Sequence, residues 1–350
     1  MRIFIHTRTT LSIAPMVLLD TIKALVQVYT RMHENQICIV GSELPASFTS
    51  FCNETSQVCI VSEKEAMALY KKEPPHILFH FGATIKTANQ IPHFFIPLSL
   101  PKPRPYSFIQ NYLLNKRFVQ WINKAHKVLC INDWAYAVMQ AQFPAYTASL
   151  HNVYLPSLAV PKFEWQDLSK AQESLTRGNN YYLCFAPVQR FTAILKSFSQ
   201  FKKWQHTTMH LVFVFDCLKD KELAMEQLKG YKFKNDIVVI CTDELCMEWI
   251  AATYAILWEG VDFSKSIWML YAVAYEVPLL LDSDLRLPSS WLHAGESFSF
   301  TEPQSLSNHF KLYYKDEMYR QSKAIMAKNW FVNLNEQQAA SRALDITSIQ

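Results

Sequence analysis

A Ser-Lys-Ser run in the second half of the chain has the residue types needed to bind an anion. Ser264, Lys265 and Ser266 come directly before an apolar segment of helical period. The first amide hydrogens of a helix have no partner within the helix, and that end carries a partial positive charge. Such a helix start can bind a diphosphate. The alternative is an ordinary serine cap beside a solvated lysine.

The cysteines and histidines form no pattern typical of a metal site. The sequence contains no CxxC pair and no Cys/His cluster with the spacing of zinc ligands. It also lacks the GxGxxG pattern of dinucleotide-binding domains, which makes a Rossmann-type oxidoreductase a weak hypothesis. Most cysteines lie in or beside apolar, strand-like runs, which predicts buried free thiols in a reducing cytosol. The eight are Cys38, Cys52, Cys59, Cys130, Cys184, Cys217, Cys241 and Cys246.

Length and composition predict a two-domain globular protein. The chain has 350 residues, of which 50% are hydrophobic and 18% charged, enough for two cores of roughly 150–200 residues each. A net charge of +4 falls short of the dense basic faces of nucleic-acid-binding proteins, so no nucleic acid is expected as a partner. No run reaches the roughly 18 apolar residues of a membrane span. We expect a cytoplasmic protein, soluble or peripheral at the inner face of the membrane.

Short apolar strands alternate with helical patterns along the first half of the chain. Strands that are apolar on both faces and separated by helices predict a parallel sheet covered on both sides, as in a Rossmann-like domain. The predicted strands are Arg2–His6, Gln36–Gly41, Gln57–Ser62, His76–Phe81 and His126–Ile131, and the helices are Met16–Met32, Glu63–Lys72 and Tyr106–Lys124.

A polar, turn-rich stretch from about Pro156 to Asn180 interrupts this alternation and is interpreted as the interdomain connection. The pattern then restarts, and helices dominate from Glu302. We predict an N-terminal Rossmann-like domain at 1–160, a C-terminal one at 176–328, and a helix at 329–350 that packs back on the first domain. The predicted strands of the second domain are Tyr181–Ala186, Met209–Phe215, Asp236–Ile240, Tyr254–Trp258 and Val277–Leu281, with helices at Gln189–Lys203, Lys219–Leu228, Asp243–Ala251 and Lys265–Tyr275.

The run NDIVVICTDELCMEWIAATYAILWEGVDFSKSIWMLYAVAYEVPLLLDSD carries a resemblance to a known family. Asp243–Glu244–Leu245 stands at a predicted helix start and Ala255–Trp258 at a strand. Further on, Ala272, Ala274 and Val277–Pro278 match the alanines and the V-P of an EGFGxPxxEAMAxGxPV pattern. This order resembles the C-terminal domain of the retaining family-four glycosyltransferases. The runs YYLCFAPVQRFTAILKSFSQF and HKVLCINDWAYAVMQAQF are similar to the segments that open that domain and precede its linker.

The resemblance implies an α/β protein with GT-B architecture, in which two Rossmann-like domains with parallel sheets face each other across a cleft. It also implies a nucleotide diphosphate-sugar as donor substrate and no metal requirement. In the family, two glutamates eight positions apart contact the donor sugar and the ribose. Here the corresponding residues are Phe263 and Tyr271, neither of which is charged at neutral pH.

Glu259 and Gly260 match the Glu-Gly that opens the family pattern. The second glutamate would then fall eight positions later, where this sequence has Ile267. We interpret Glu259 as a loop glutamate with solvent access, and contact with the donor sugar is the alternative. The family also places an Arg and a Lys near the first strand of this domain, where they neutralise the leaving diphosphate. Arg190 and Lys196 are the candidates, with Gln189 competing for the lysine position. Together with Ser264, Lys265 and Ser266 they form the predicted phosphate site, whereas no catalytic base or nucleophile can be named.

Two hypotheses of function follow from this pattern. The first is a divergent glycosyltransferase of the hexosyltransferase class, which transfers sugar to a glycan or lipid-linked acceptor in surface polysaccharide or glycoconjugate synthesis. The alternative is an inactive pseudo-glycosyltransferase that binds a glycan or a partner, such as an active transferase. Loss of the glutamate pair favours the alternative. So does the count of six glycines, where about 25 are usual for this length.

The segment 102–127, KPRPYSFIQNYLLNKRFVQWINKAHK, alternates basic with aromatic and aliphatic residues. Related transferases dock on anionic membranes through such surfaces. A crossover helix of the first domain with a solvated face is the other interpretation. As a helix it would direct one set of side chains to the core and another to water. The core set is Phe108, Tyr112, Leu113, Val119 and Ile122, and the solvent set is Lys116, Arg117, Lys124 and Lys127.

Overall fold

The computed structural model describes residues 2–7, 22, 26, 36–41, 46–81, 93–97, 108–130, 133–152, 160–215, 217–241, 244–259, 266–283, 294–302 and 304–345. The described residues up to 152 belong to one compact unit, and those from 160 onward belong to a second. Each unit is built around one sheet in which all the strands run parallel.

The sheet of the first unit has seven strands in the order β3-β2-β1-β4-β5-β6-β7. The chain moves outward from β1 to β3 and then continues on the other side of β1 with β4. The strand order therefore reverses between β1 and β4. The strands are β1 (Arg2–His6), β2 (Gln36–Val40), β3 (Val58–Val61), β4 (Ile77–Phe81), β5 (His93–Ile96), β6 (Lys127–Cys130) and β7 (Leu150–Asn152).

Four helices of the first unit are α1 (Ala46–Glu54), α2 (Glu63–Lys72), α3 (Phe108–Lys124) and α4 (Asp133–Gln142). The bounds predicted for α2 are confirmed, and its capping box explains them: Ser62 accepts from the amide of Glu65, whose carboxylate accepts from the amide of Ser62.

Helix α3 packs on β5 through Phe118, whose ring lies 5.6 Å from that of Phe95. Phe118 and Ile122 are buried, and Val119 is only partly buried. Val119 therefore lies at the border of the buried face, of which the predicted Ile122 is confirmed as a member. The predicted exposure of Lys116, Arg117 and Lys124 is confirmed, whereas Lys127 is partly buried. The side chains of Phe108, Tyr112 and Leu113 lie outside the described residues.

The sheet of the second unit has six strands in the order β10-β9-β8-β11-β12-β13. Its strand order reverses between β8 and β11, just as the first sheet reverses between β1 and β4. The strands are β8 (Tyr181–Phe185), β9 (His210–Phe215), β10 (Ile237–Cys241), β11 (Ala255–Trp258), β12 (Leu279–Asp282) and β13 (Gly295–Phe298).

One core of the second unit is formed by aromatic residues from two helices and the sheet. Phe198 and Phe201 of one helix are fully buried against Phe310 of another, with ring centroids 6.1 and 6.0 Å apart. Burial of side chains this large stabilises the unit by roughly 1.5–3 kcal/mol each. The helices are α5 (Trp165–Thr176), α6 (Phe191–Trp204), α7 (Leu218–Leu228), α8 (Met247–Ala251), α9 (Ser266–Ala274), α10 (Ser305–Lys315) and α11 (Glu317–Asp345).

Helix α5 occupies much of the stretch that the sequence suggested was a connection. Glu164 and Asp167 cap its start, and Arg177 ends it in the left-handed region with φ 55°. It packs on the second unit, where Gln172 donates to the carbonyl of Ala252. The interpretation of 156–180 as a linker is thus wrong for α5, because its turn-forming residues mark the ends of a helix. The predicted elements also lack α1, α4, β5, β7 and β13, of which the strands have at most four residues.

The long helix α11 confirms the helical pattern predicted for the C-terminal region. That the end of this helix packs on the first domain stays a prediction. Among the described residues, no helix combines the length and the apolar character that crossing a membrane requires.

A row of histidines crosses four neighbouring strands of the first sheet. The rings of His6 and His80 stack with centroids 5.0 Å apart, and Nε2 of His80 lies 3.0 Å from Nδ1 of His93. His126 continues the row, while His6 hydrogen-bonds the Tyr70 hydroxyl. Burial, with repulsion from His6 and His93, lowers the pKa of His80 to about 3. His80 is therefore neutral in the folded protein at neutral pH.

We expect this row to make the first unit acid-sensitive. The folded-state pKa of His80 lies below its unfolded value of about 6.5, so the unfolded chain binds the proton more tightly. The stability that depends on neutral His80 is complete above pH ~6.5 and is lost as the pH falls toward 3, by at most about 1.4 kcal/mol per pH unit. Hydrogen–deuterium exchange of β1 and β4, corrected for intrinsic rates, measures this slope.

The variant His80→Gln keeps a hydrogen-bonding side chain but has no group that titrates. Its unfolding free energy should therefore depend less steeply on pH than that of the wild type. The control His206→Gln changes an exposed histidine of the second unit and should leave the slope unchanged. Equal slopes in the wild type and His80→Gln would contradict the prediction.

Helix α9 ends in a left-handed residue that is not glycine. Glu276 has φ 59°, and the amide of Val277 donates to the carbonyl of Ala272 at 2.9 Å. Glu276 lies two positions after Ala274, where the EAMAxGxPV pattern has its glycine. Its carboxylate accepts a hydrogen bond from Lys328 of α11 at 2.5 Å. The helix therefore ends in a left-handed turn that carries the steric cost of a side chain.

Comparing Glu276→Gly with Glu276→Ala separates this backbone cost from the ion pair, because both variants remove the carboxylate. We expect the glycine variant to be more stable than the alanine variant by about 1 kcal/mol, measured by thermal unfolding. At Glu222, an exposed position within α7, the order should reverse, because alanine is the better helix former there. An alanine variant at 276 as stable as the glycine variant would contradict the assignment.

Candidate functional site

Arg190, Glu259 and Phe300 meet beyond the carboxyl ends of the strands of the second unit. Arg190 follows β8, Glu259 follows β11 and Phe300 follows β13. Strands β8 and β11 are the two neighbours between which the strand order reverses. In open parallel sheets, ligands bind outside the carboxyl ends of the strands at this point of reversal. The three residues thus occupy the expected binding position of this sheet.

The chain after β8 holds Arg190 close to the strand end. A single turn of 3-10 helix, Val188–Arg190, follows Pro187, and the amide of Arg190 donates to the carbonyl of Pro187 at 2.9 Å. Helix α6 then starts with Phe191, which is fully buried. Val188 and Phe191 are buried on either side of Arg190, which itself is half-buried at the edge of the sheet.

Glu259 faces Arg190 from the neighbouring strand. Its amide donates to the carbonyl of Phe185 at 2.9 Å, and its Oε1 accepts from Nε of Arg190 at 3.3 Å. Only 11% of the Glu259 side chain is exposed, against 40% for Arg190. The prediction of a loop glutamate with solvent access is therefore wrong. Adjacent strands lie about 4.8 Å apart, so parallel pairing of β8 with β11 brings the residues after them into contact.

Phe300 supplies a second contact for the guanidinium of Arg190. The Cζ atom of Arg190 lies 4.6 Å from the centre of the Phe300 ring, which packs edge-on against Phe298 at 5.0 Å. Within the part of the chain that the structure describes, Nε is the guanidinium nitrogen that hydrogen-bonds to protein. Among the described residues, the two terminal nitrogens therefore keep hydrogens that could be donated to an anion such as a phosphate.

Lys196 does not join Arg190. It lies six residues later on α6 and is exposed, which places it about 9 Å further along the axis and about 120° around it. Gln189, the competing residue for the basic position, is exposed beside Arg190. Of the two basic residues predicted near the first strand of this unit, the structure therefore brings Arg190 alone to the point of strand reversal.

Helix α9 starts at Ser266, but most of the predicted phosphate-binding run cannot be placed. Phe263, Ser264 and Lys265 lie outside the described residues, and so does the side chain of Ser266. Tyr271, at the position of the family's second glutamate, is 6% exposed and packs 6.5 Å from the Trp268 ring. A carboxylate at such a buried position would lose its hydration.

Glu244 serves a structural purpose at the end of β10. Its carboxylate accepts from Nζ of Lys221 at 2.7 Å and from the amide of Cys241 at 2.5 Å. The helix predicted to start at Asp243 instead begins at Met247, and Asp243 itself lies outside the described residues. Glu244 therefore links α7 to the sheet. Across the described ranges, no group of three or more His, Cys, Asp or Glu side chains could hold a metal ion.

Sequence reasoning found Arg190 but missed Phe300 and the contact made by Glu259. Phe300 follows β13, a strand of four residues that the alternation of patterns did not reveal. Glu259 and Arg190 are 69 positions apart, and only the pairing of their strands brings them together.

No protein-family model and no curated protein matches the chain. Solved structures do match it over nearly its full length. HepE from Anabaena, in complex with UDP and glucose, has a TM-score of 0.70 at 12% identity, covering 98% of this chain and 99% of HepE. WaaG, a glycosyltransferase involved in lipopolysaccharide biosynthesis, has a TM-score of 0.70 at 10% identity, covering 98% of both chains.

Sucrose-phosphate synthase from Thermosynechococcus elongatus is similar as well, with a TM-score of 0.68 at 8% identity, covering 99% of this chain and 98% of that one. Identities this low establish the fold and no more. The predicted α/β class, with two Rossmann-like units built on parallel sheets, is confirmed. This chain has the GT-B fold that these glycosyltransferases share.

Proposed function

We propose that this protein is a divergent glycosyltransferase that binds the diphosphate of a nucleotide-sugar where β8 and β11 end. The transferred sugar goes to a glycan or lipid-linked acceptor in surface polysaccharide or glycoconjugate synthesis. The observation that carries the proposal is the guanidinium of Arg190, half-exposed at the point of strand reversal and held by Glu259 and Phe300.

A diphosphate gains negative charge as it leaves the sugar, and a fixed cation stabilises that charge. The terminal nitrogens of Arg190 can donate two parallel hydrogen bonds to phosphate oxygens. Glu259 offsets part of the positive charge of Arg190, so its main effect is to orient the guanidinium before the donor binds. In this proposal the start of α9, with Ser264, Lys265 and Ser266, supplies further donors, and no metal is required.

Structural neighbours support the choice of donor. HepE has been solved with UDP and with UDP-glucose, and it matches this chain over 98% of its length. WaaG acts in lipopolysaccharide biosynthesis, which fits an acceptor on a membrane. A uridine diphosphate sugar is therefore the first donor to test.

The exposed basic residues of α3 fit an acceptor at a membrane surface. Lys116, Arg117 and Lys124 are exposed on a helix whose Phe118 and Ile122 are buried. Each basic side chain close to an anionic bilayer contributes about 1 kcal/mol of attraction. We propose that this helix brings the protein to the membrane from the cytoplasmic side.

A binding module without turnover is the second candidate, and buried Tyr271 favours it. In the family this position carries the carboxylate that holds the ribose, and here it carries a buried side chain that is neutral at neutral pH. Such a protein would keep the fold for binding a glycan or a partner transferase.

Isothermal titration with UDP, GDP and ADP tests the donor site. We expect one of them, UDP first, to bind, and Arg190→Ala to weaken that binding by about 10- to 100-fold, the effect of losing a hydrogen bond to a charged group. Lys196→Ala is the matched control on the same helix and should bind like the wild type. Absence of binding by the wild type, or equal binding by Arg190→Ala, would overturn the proposed site.

An assay of sugar transfer distinguishes the glycosyltransferase from the binding module without turnover. Wild-type protein is incubated with UDP-sugars and with glycan or lipid-linked acceptors, and release of UDP with formation of glycoside is followed by NMR. Glycoside formation that is lost in Arg190→Ala supports the transferase. Nucleotide binding without any product across the panel supports the binding module instead.

A further inference from the structure

Two cysteines face each other across neighbouring strands at one edge of the first sheet. Cys38 of β2 and Cys59 of β3 are directly paired in the parallel register. Their Sγ atoms lie 3.0 Å apart. Paired strands are about 4.8 Å apart, a separation within the roughly 4.4–6.8 Å between Cα atoms that disulfides span. The two sulfur atoms therefore need to move only about 1 Å to form a bond.

The two thiols differ in their access to solvent. Cys38 is 5% exposed within the sheet, whereas Cys59 is exposed on β3, the edge strand. The expectation that the cysteines are buried free thiols is thus wrong for Cys59, and also for exposed Cys217. A reagent in solution can reach Cys59, and the Sγ atom of buried Cys38 lies next to the Sγ atom of Cys59.

We propose that Cys59 and Cys38 form a redox site for hydroperoxides, at which Cys59 is oxidised and Cys38 then closes a reversible disulfide. This site lies in the first unit and is independent of the proposed transferase function.

The reaction is balanced with the hydroperoxide as the oxidant. The Cys59 thiolate attacks the O–O bond, and the leaving oxygen takes a proton to become water or an alcohol, so that Cys59 becomes a sulfenic acid. The Cys38 sulfur then attacks the Cys59 sulfur and displaces hydroxide, which leaves as water with the Cys38 thiol proton. Each sulfur loses one electron, and the two peroxide oxygens gain one each.

The hydrogen bond between the thiols favours this division of roles. A thiol proton donated by Cys38 stabilises the Cys59 thiolate and lowers the pKa of Cys59 to about 7. The same hydrogen bond, together with burial, raises the pKa of Cys38. Cys59 is therefore the attacking residue, and Cys38 keeps its proton until the second step.

The geometry also indicates that the disulfide is reversible. Side chains directly opposed on parallel strands point in the same direction, whereas a relaxed disulfide needs a dihedral angle near 90°. Exposed or constrained disulfides are the ones that cellular thiols reduce. Closing the bond would join the edge strand β3 covalently to β2, and reduction would release it.

The test treats the folded wild-type chain with hydrogen peroxide and maps its peptides without reduction. We expect a Cys38–Cys59 cross-linked peptide that dithiothreitol removes. About half of a thiol with a pKa near 7 is ionised at neutral pH, and the thiolate is the reactive form, so we expect Cys59 to be oxidised about tenfold faster than exposed Cys217. Failure to detect the cross-link, or oxidation of Cys59 no faster than that of Cys217, would overturn the proposal.

Substitution of each cysteine tests oxidation of Cys59 and closure of the disulfide separately. In Cys38→Ala, Cys59 should stop at the sulfenic acid, which dimedone labels, and should go on to the sulfinic acid with excess peroxide. Cys59→Ser should leave Cys38 unoxidised, because Cys38 is buried, and Cys217→Ser should form the cross-link like the wild type. Dimedone labelling of Cys59 that persists in the wild type, without a cross-link, would show that Cys38 does not close the bond.

Discussion

Parallel pairing of β8 with β11 is the constraint on which the candidate site depends. Because both strands run in the same direction, the residues that follow them emerge at the same edge of the sheet. The backbone hydrogen bond from Glu259 to Phe185 extends this pairing by one residue and places the carboxylate beside Arg190. All five residues of β8 are buried, as expected for a central strand of a parallel sheet covered on both faces. The position of Arg190, a candidate phosphate ligand, is therefore set by the strand pairing of the sheet.

Helix α9 of the second unit combines an apolar sequence with a helix end in the left-handed conformation. Tyr271 is buried in an apolar helix, α9, at a position that the family fills with a carboxylate. Glu276 keeps the left-handed turn that ends this helix, and its contact with Lys328 ties α9 to α11. The ion pair contributes at most about 1 kcal/mol at its exposed position. Glu276 therefore occupies a left-handed position that would suit glycine better.

Most of the fold could be predicted from pattern, because buried parallel strands and amphipathic helices leave strong periodic signals. The strand β1 and the helix α2 have the predicted bounds, and the larger elements differ by a few residues. Short elements such as β5 and β13 could not be predicted, because four residues carry too little periodicity to be recognised. Turn-forming residues stand at the ends of helix α5, where capping requires them, and they give this helix the sequence pattern of a linker.

The sequence by itself determined the two-unit α/β plan, the alternation of elements and Arg190 as the basic residue after β8. Local periodicity and capping depend on neighbours along the chain, so they can be read from it. Only the tertiary structure decided that Glu259 and Phe300 hold Arg190, that Lys196 stands apart, and that Cys38 faces Cys59. Those contacts join residues far apart in sequence, and strand order and register, which bring them together, depend on packing of the whole sheet.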